Sequence, residues 1–283
     1  SVFVDVDGLR AHVRDEGPRD DPMPLVLLHG TAASLHTWDG WTTTLVRERR
    51  VIRVDLPGFG LTGPAPDADY RIERYVRFVT ALLDVLRIDR SVLAGNSFGG
   101  WLAWETALAL PDRVGALVLV DAAGYPLESE SVPIGFRIAR IPGLNRLARV
   151  TLPRRLIESS VRNTYGDPSR VTPALVDRYY ELTLREGNRA ALARRFAAGR
   201  YGDDPARIRD LELPTLILWG GRHRLIPPRY GDRFHRDIAG SQLVIFPALG
   251  HVPHEEDPSA TVAAVREFLS RIDAGATAAR QAD

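Results

Sequence analysis

Cysteine is absent from this 283-residue chain, which excludes disulfides, thiolate nucleophiles and zinc–thiolate sites and leaves the redox compartment open. Lysine is absent too: the 37 basic residues are all arginine, against 36 acidic residues, for a net charge of +1. The arginines are scattered rather than clustered, which argues against nucleic acid or a membrane surface as partner, since either would need a basic face. No apolar run approaches the ~20 residues needed to cross a bilayer, and there is no internal repeat or low-complexity segment. Ser1 to Asp7 alternates like a strand and lacks the basic-then-apolar layout of a signal peptide. The expectation is a soluble, cytoplasmic protein without cofactor or metal; nothing bears against a homodimer.

What is present is enough for one large core, with 45% apolar residues in a chain long enough for one domain and an insertion. Short β-branched and leucine-rich runs at Leu25–Leu28, Val51–Asp55, Ser91–Ala94, Ala116–Val120, Thr215–Trp219 and Gln242–Phe246 suit central strands of a parallel sheet covered on both faces. Two further strands, Val2–Val6 and Leu9–Arg14, flank the hairpin dipeptide Asp7-Gly8. Helical patterns fill the gaps at Arg71–Leu86, Gly99–Leu110 and Thr261–Ile272. This is an α/β plan, with a mostly parallel eight-stranded sheet flanked by helices. Between Tyr125 and about Leu211 no strand-like run occurs, and Pro133, Pro142, Pro153, Pro168 and Pro173 punctuate arginine-rich helices. The expected division is a core of residues 1–124 and 212–283 with a helical cap of residues 125–211 over the strand ends, where open α/β sheets place ligands. The small, polar tail Ala274–Asp283 is expected to fray.

The stretch Gly95-Asn96-Ser97-Phe98-Gly99 lies between an apolar strand and an apolar helix. In that context Gly-x-Ser-x-Gly reads as a nucleophile elbow, a strained turn that exposes the Ser97 hydroxyl above the sheet and aims the next helix N-terminus at a developing oxyanion. A structural glycine turn is the competing reading, and the flanks on both sides weigh against it.

With these residues the chain resembles the α/β-hydrolase superfamily, and in particular its capped serine esterase-like members. The resemblance covers nearly the whole chain and is weakest across the cap. It rests on Leu27-Leu28-His29-Gly30, Asp55-Leu56-Pro57-Gly58-Phe59-Gly60, the elbow, and Gly250-His251-Val252-Pro253, each at the chain position where the family carries such a motif. The resemblance implies that His251 is the base that takes the Ser97 proton and that His29 is a structural, hydrogen-bonding histidine. The backbone N–H of Thr31, by resemblance, and of Phe98, by elbow geometry, are expected to form the oxyanion hole, with Ala32 as substitute if the loop register differs. His12, His36, His235 and His254 read as surface or pocket-lining residues. Trp38, Trp41, Phe98 and Trp101 are either pocket walls or core.

The acid is the exception. Resembling enzymes carry Trp-Gly-x-x-Asp followed four residues later by proline; here Trp219-Gly220-Gly221-Arg222-His223 precedes Pro227, so His223 occupies the aspartate position. Three readings stay open. His223 accepts the His251 N–H in a Ser97–His251–His223 relay; the acid has moved to Asp121, whose competing reading is an ordinary turn cap; or an ancestral aspartate has been lost, by nature or by engineering. Asp232 and Glu256 are weaker candidates. In a serine protease the loss of this carboxylate lowers turnover about 10⁴-fold.

The leading expectation is a carboxylesterase acting on small, largely apolar esters through an acyl-enzyme at Ser97. A C–C bond hydrolase of ring-cleavage products is the alternative within the fold, and a catalytically impaired binding protein the alternative of another class.

Overall fold

The computed structural model describes residues 1–141, 143, 144, 146, 151–199 and 204–282, with side chains as far as residue 275. Eight strands form a single sheet in the order β1-β2-β4-β3-β5-β6-β7-β8. They are β1 (Val2–Val6), β2 (Leu9–Glu16), β3 (Leu25–Leu28), β4 (Val51–Val54), β5 (Ser91–Asn96), β6 (Val114–Val120), β7 (Thr215–Gly220) and β8 (Gln242–Phe246). β2 pairs antiparallel with both β1 and β4, and all later pairings are parallel. The hairpin at Asp7-Gly8 forms with positive φ at both residues, as a two-residue turn of this kind requires.

The uninterrupted apolar runs are explained by what covers them. Val26, Leu28, Leu93, Leu117 and Leu119 face one core, with helices α2 (Ile72–Val85) and α3 (Phe98–Ala109). Leu25, Leu27, Val92, Ala94, Ala116 and Val118 face the other, with α1 (Asp39–Leu45) and the final helix. Because successive strand residues point to opposite faces, a strand buried on both sides has no polar position to give up. Trp38 and Trp41 belong to the second core, Phe98 and Trp101 to the first.

Between β6 and β7 the chain forms a helical insertion, with α4 (Ile134–Arg140), α5 (Arg154–Thr164), α6 (Pro173–Leu184) and α7 (Asn188–Ala197). Its prolines stand at helix starts: Pro133 and Pro153 precede α4 and α5, and Pro173 opens α6, where the missing N–H costs nothing. Pro142 lies outside the described residues. After β7 come α8 (Arg229–Asp237), α9 (Pro253–Glu256) and α10 (Pro258–Ala282). The tail is helical where its composition suggested fraying: α10 continues to Ala282, in keeping with the high helix propensity of its alanines. No helix among the described residues is long and apolar enough to cross a membrane.

The turn after β5 depends on two glycines. A Cβ at Gly95 would collide with the Gly99 carbonyl, and one at Gly99 with the Leu28 and His29 carbonyl oxygens, so the elbow and the end of β3 meet backbone to backbone. Gly99→Ala is therefore expected to destabilise the fold by about 1–3 kcal/mol or more. Gly275→Ala, where nothing lies within 4 Å, should be neutral or stabilising by up to ~1 kcal/mol. Urea unfolding of both variants checks the contrast.

Candidate active site

Five loops bring the chemistry-bearing residues to the carboxyl ends of the strands, around the point where the strand order reverses between β3 and β5. Thr31 follows β3, Ser97 follows β5, Asp121 follows β6, His223 follows β7 and His251 follows β8. Ser97 sits at φ 55°, ψ −114°, in a left-handed region that few non-glycine residues enter. Asp121 and Ala32 are also at positive φ, so three of the six described non-glycine residues with this geometry surround one site. Strain of this kind persists only where the surroundings over-determine it. Here they do: Ser97 N–H donates to Val120 O at 3.0 Å, Ala123 N–H to Ser97 O at 3.0 Å, and Asp121 N–H to Leu218 O at 3.0 Å.

Asn96, inside the elbow, donates from Nδ2 to Val120 O at 3.1 Å and to His251 O at 2.9 Å. The His251 N–H donates to Thr164 O at 2.6 Å. The His251 backbone is thus held between the elbow and the end of α5. Phe98 is the first residue of α3, so its N–H lies at the helix N-terminus, where amides have no intrahelical acceptor. Thr31 and Ala32 border the same cleft as His251.

The histidines sort by their partners. His29 donates from Nδ1 to Gly30 O at 2.7 Å and accepts the Leu56 N–H at Nε2 at 3.0 Å, the structural role expected of it. His12 is not a surface residue: it is 2% exposed and lies 2.7 Å from Asp55 Oδ2. Asp55 in turn accepts the N–H of Leu35 and Leu61, both at 2.7 Å, fixing the loops after β3 and β4. His254 is fully buried, stacked on Trp38 with centroids 4.0 Å apart and bonded to Thr37 Oγ1 at 3.0 Å. His36 pairs with Asp39 and His235 with Ser241, towards the surface.

His223 and His251 lie face to face, ring centroids 4.3 Å apart and planes inclined by 26°. An imidazole N–H lies in its ring plane, so stacked rings cannot bond to one another, and the expected relay through His223 is not formed. His223 accepts the Ile226 N–H at Nε2, 3.1 Å away, which puts its proton on Nδ1. That nitrogen is 2.9 Å from Asp121 Oδ1, with its N–H off the line to the oxygen.

Asp121 is fully buried; its Oδ1 accepts the Gly220 N–H at 3.0 Å, while its Oδ2 has no partner. Nδ1 of His251 is likewise buried without a partner, and donor atoms of Asp121, His223 and His251 all lie within 4.8 Å of one another. As a metal chelate this trio fails, because one His223 nitrogen is occupied by the Ile226 N–H and the other carries the proton. Burial pushes the Asp121 carboxyl up, an effect that the Gly220 N–H opposes and the Glu256 charge reinforces. Burial pushes both His223 and His251 well below the ordinary histidine range, and the neighbouring His223 lowers His251 further. Both rings are therefore neutral near neutral pH.

The other carboxylates weighed from sequence do not reach this cluster as partners. Asp232 is exposed on α8. Glu256 spends both oxygens on backbone amides of Gly166, Asp167 and Gly250.

Above the site lies a cleft of about 990 Å³, counting the space at its mouth that is open to solvent. Its walls are largely apolar, with Phe136, Ile157, Val161, Leu192 and Val252 prominent, and among its lining residues Arg189 alone carries a formal charge. Arg189 has no ion-pair partner among the described residues. Trp38, Trp41, Phe98 and Trp101 do not line this cleft. Neither Arg189 nor the bridging amide of Asn96 was foreseen. Arg189 is one arginine among many in the insertion, while Asn96 stood inside a motif read only for its serine and glycines.

The family of the alpha/beta hydrolase fold matches residues 23–258. The chain is 32% identical over 279 residues to a 2-hydroxy-6-oxo-2,4-heptadienoate hydrolase of Pseudomonas putida, covering 94% of this chain and 95% of that one. It is 31% identical over 278 residues to a 2-hydroxymuconate semialdehyde hydrolase of a Pseudomonas species, covering 95% and 93%. Among solved structures, a meta-cleavage product hydrolase superposes with a TM-score of 0.83 at 25% identity over 95% of this chain and 97% of that one. A thermophilic esterase of Thermogutta terrifontis superposes at 0.80 with 26% identity over 96% and 98%. On the match of most of its length and on its strand order, the chain belongs to the α/β-hydrolase family and is a hydrolase of that fold with a helical cap.

Proposed function

We propose that the protein hydrolyses a carbon–carbon bond in a small, unsaturated keto acid of the kind formed by ring cleavage, with Ser97 as nucleophile, His251 as base and Asp121 as the acid behind it. The observation that carries this reading over the ester reading is Arg189. A cation with no ion-pair partner among the described residues, in an apolar cleft, suits a substrate that is mostly hydrocarbon and bears one carboxylate. A neutral ester would leave it unmatched. The heptadienoate named for the Pseudomonas putida relative is such an anion.

In this mechanism the Ser97 hydroxyl adds to the keto carbon while His251 takes its proton. The oxyanion is received by the Thr31 and Phe98 N–H groups. The carbon–carbon bond breaks with its electron pair going to the leaving carbon, which His251 protonates. Water activated by the same base then releases the second acid from Ser97. Asp121 is assigned to hold the His251 tautomer by accepting its Nδ1–H, because that nitrogen and Asp121 Oδ2 are both buried without a partner in the same cluster. His223 supports the site by packing against the His251 ring and by keeping its Nδ1 2.9 Å from Asp121 Oδ1. The impaired-binding-protein reading rested on residue 223 alone, and Asp121 beside His251 takes that support away. Ester hydrolysis would use the same groups and stands as the second reading, favoured by the likeness to the Thermogutta esterase.

The test is the ratio of kcat/KM for a 2-hydroxy-6-oxodienoate, followed by loss of its absorbance, to that for p-nitrophenyl acetate. The dienoate is expected to be preferred. Arg189→Met should lower kcat/KM for the dienoate about 10- to 10²-fold, the ~1.5–3 kcal/mol of a hydrogen bond to a charged group, and leave the neutral ester nearly unchanged. Preference for the ester, or equal losses on both substrates, would sink the keto-acid reading.

The position of the acid is tested by a cycle. Asp121→Asn is expected to cost about 10³- to 10⁴-fold in kcat. His223→Asp alone should not activate the enzyme, because it places a second carboxylate beside a buried one. Added to Asp121→Asn, the same change should recover much of the loss by restoring a carboxylate from the β7 loop. If Asp121→Asn retains full turnover, the acid lies elsewhere.

A further inference from the structure

We infer that Glu256 is a positioning residue that ties the helical cap to the His251 loop, so that the seating of the cap sets the place of the base. The inference rests on reading His251 as that base. Glu256 is 7% exposed. Its Oε2 accepts the Gly250 N–H at 2.8 Å and the Gly166 N–H at 3.0 Å, and its Oε1 accepts the Asp167 N–H at 2.8 Å. Gly250 immediately precedes His251; Gly166 and Asp167 follow α5 in the insertion. One carboxylate therefore bridges two segments more than 80 residues apart in sequence.

The same seam is closed by further bonds. His251 N–H donates to Thr164 O, and Arg170 Nη1 donates to the Glu256 carbonyl at 3.0 Å. Gly250 meets the insertion backbone to backbone, since a Cβ there would run into Thr164 O and Gly166 N. Val252 packs into a separate cluster with Val161, Tyr165, Val171 and Val176 of the insertion. On the opposite side the His251 carbonyl is held by Asn96. The base thus has two anchors, the elbow that carries Ser97 and the cap that covers the substrate. A shift of the cap end would move the imidazole relative to the hydroxyl, and a 1 Å misplacement in such a pair costs on the order of 10²-fold in rate.

Reach and charge make different demands at this position. Glutamine keeps the reach: its carbonyl oxygen can take the Gly250 and Gly166 amides, and only the Asp167 amide loses its acceptor. Aspartate keeps the charge but is one methylene too short to span the seam. The experiment compares full-length Glu256→Gln, Glu256→Asp and Glu256→Ala by the second-order rate of Ser97 labelling with a fluorophosphonate and by kcat and KM separately, with thermal melts to confirm folding. Labelling needs an activated serine but no particular scissile bond, so its outcome is separable from that of the keto-acid reading.

Glu256→Gln should label close to the parent rate. Glu256→Asp and Glu256→Ala should fall on the order of 10²-fold, with the loss in kcat exceeding the change in KM. Labelling at the parent rate by folded Glu256→Asp overturns the inference. So does a slow Glu256→Gln beside a fast Glu256→Asp, which would make the charge, not the span, the active property. Should Glu256→Ala fail to fold, the glutamine and aspartate variants still decide.

Discussion

The site depends on the approach of two backbones, the Gly95–Gly99 turn against the carbonyls at the end of β3. Only at that separation can Ser97 occupy its positive-φ conformation with its own N–H donating to Val120 O and its carbonyl accepting the Ala123 N–H. The turn also carries Asn96 into position to hold both the β6 carbonyl and the His251 carbonyl. Three strand ends are therefore locked together through one strained residue and the amide beside it. The rigidity of the double-sided core beneath them is what makes the strain tolerable.

The buried charge balance follows from that geometry. The end of β6 places Asp121 at positive φ, a conformation that aspartate tolerates better than most residues, and encloses its carboxyl completely. Such a group is costly unless it has donors. Gly220 supplies one, and the Nδ1 atoms of His223 and His251, each without a hydrogen-bond partner, lie in the same cluster. A histidine after β7 is then coherent: a neutral imidazole fills the place beside the β6 carboxyl without adding a second charge. In the proposed reading both arrangements put one carboxyl group behind His251, and a second carboxylate there would meet repulsion.

The sheet was legible because its strands are buried on both faces and so read as unbroken apolar runs between turn residues; their limits shift by no more than two residues. The elbow was legible because steric necessity writes glycine into the sequence at fixed offsets. The final helix past Ala274 was not, since a run of small and polar residues serves a frayed tail and an exposed helix equally well. Within the site, Asp121 could be named as a candidate but not ranked above His223. What separates them in the proposed reading is the orientation of the His223 ring against His251, which has no signature in residue type. His12 and His254 were misplaced for a related reason, because a histidine is buried or exposed according to partners such as Asp55 and Thr37 that lie 43 and 217 residues away.

Sheet and insertion divide the work in a way that explains why the insertion was the hardest part to read. The strand ends fix the groups proposed to react, so their residues are constrained by backbone geometry that recurs in sequence. The insertion supplies the cleft walls and Arg189, features that require only an apolar surface and one charge at the right distance. Many sequences meet that demand. The insertion nevertheless touches the chemistry directly, because Thr164 receives the amide of His251 and Glu256 clasps Gly166 and Asp167. A segment free to vary in composition is thereby tied, at one short seam, to the residue whose placement can vary least.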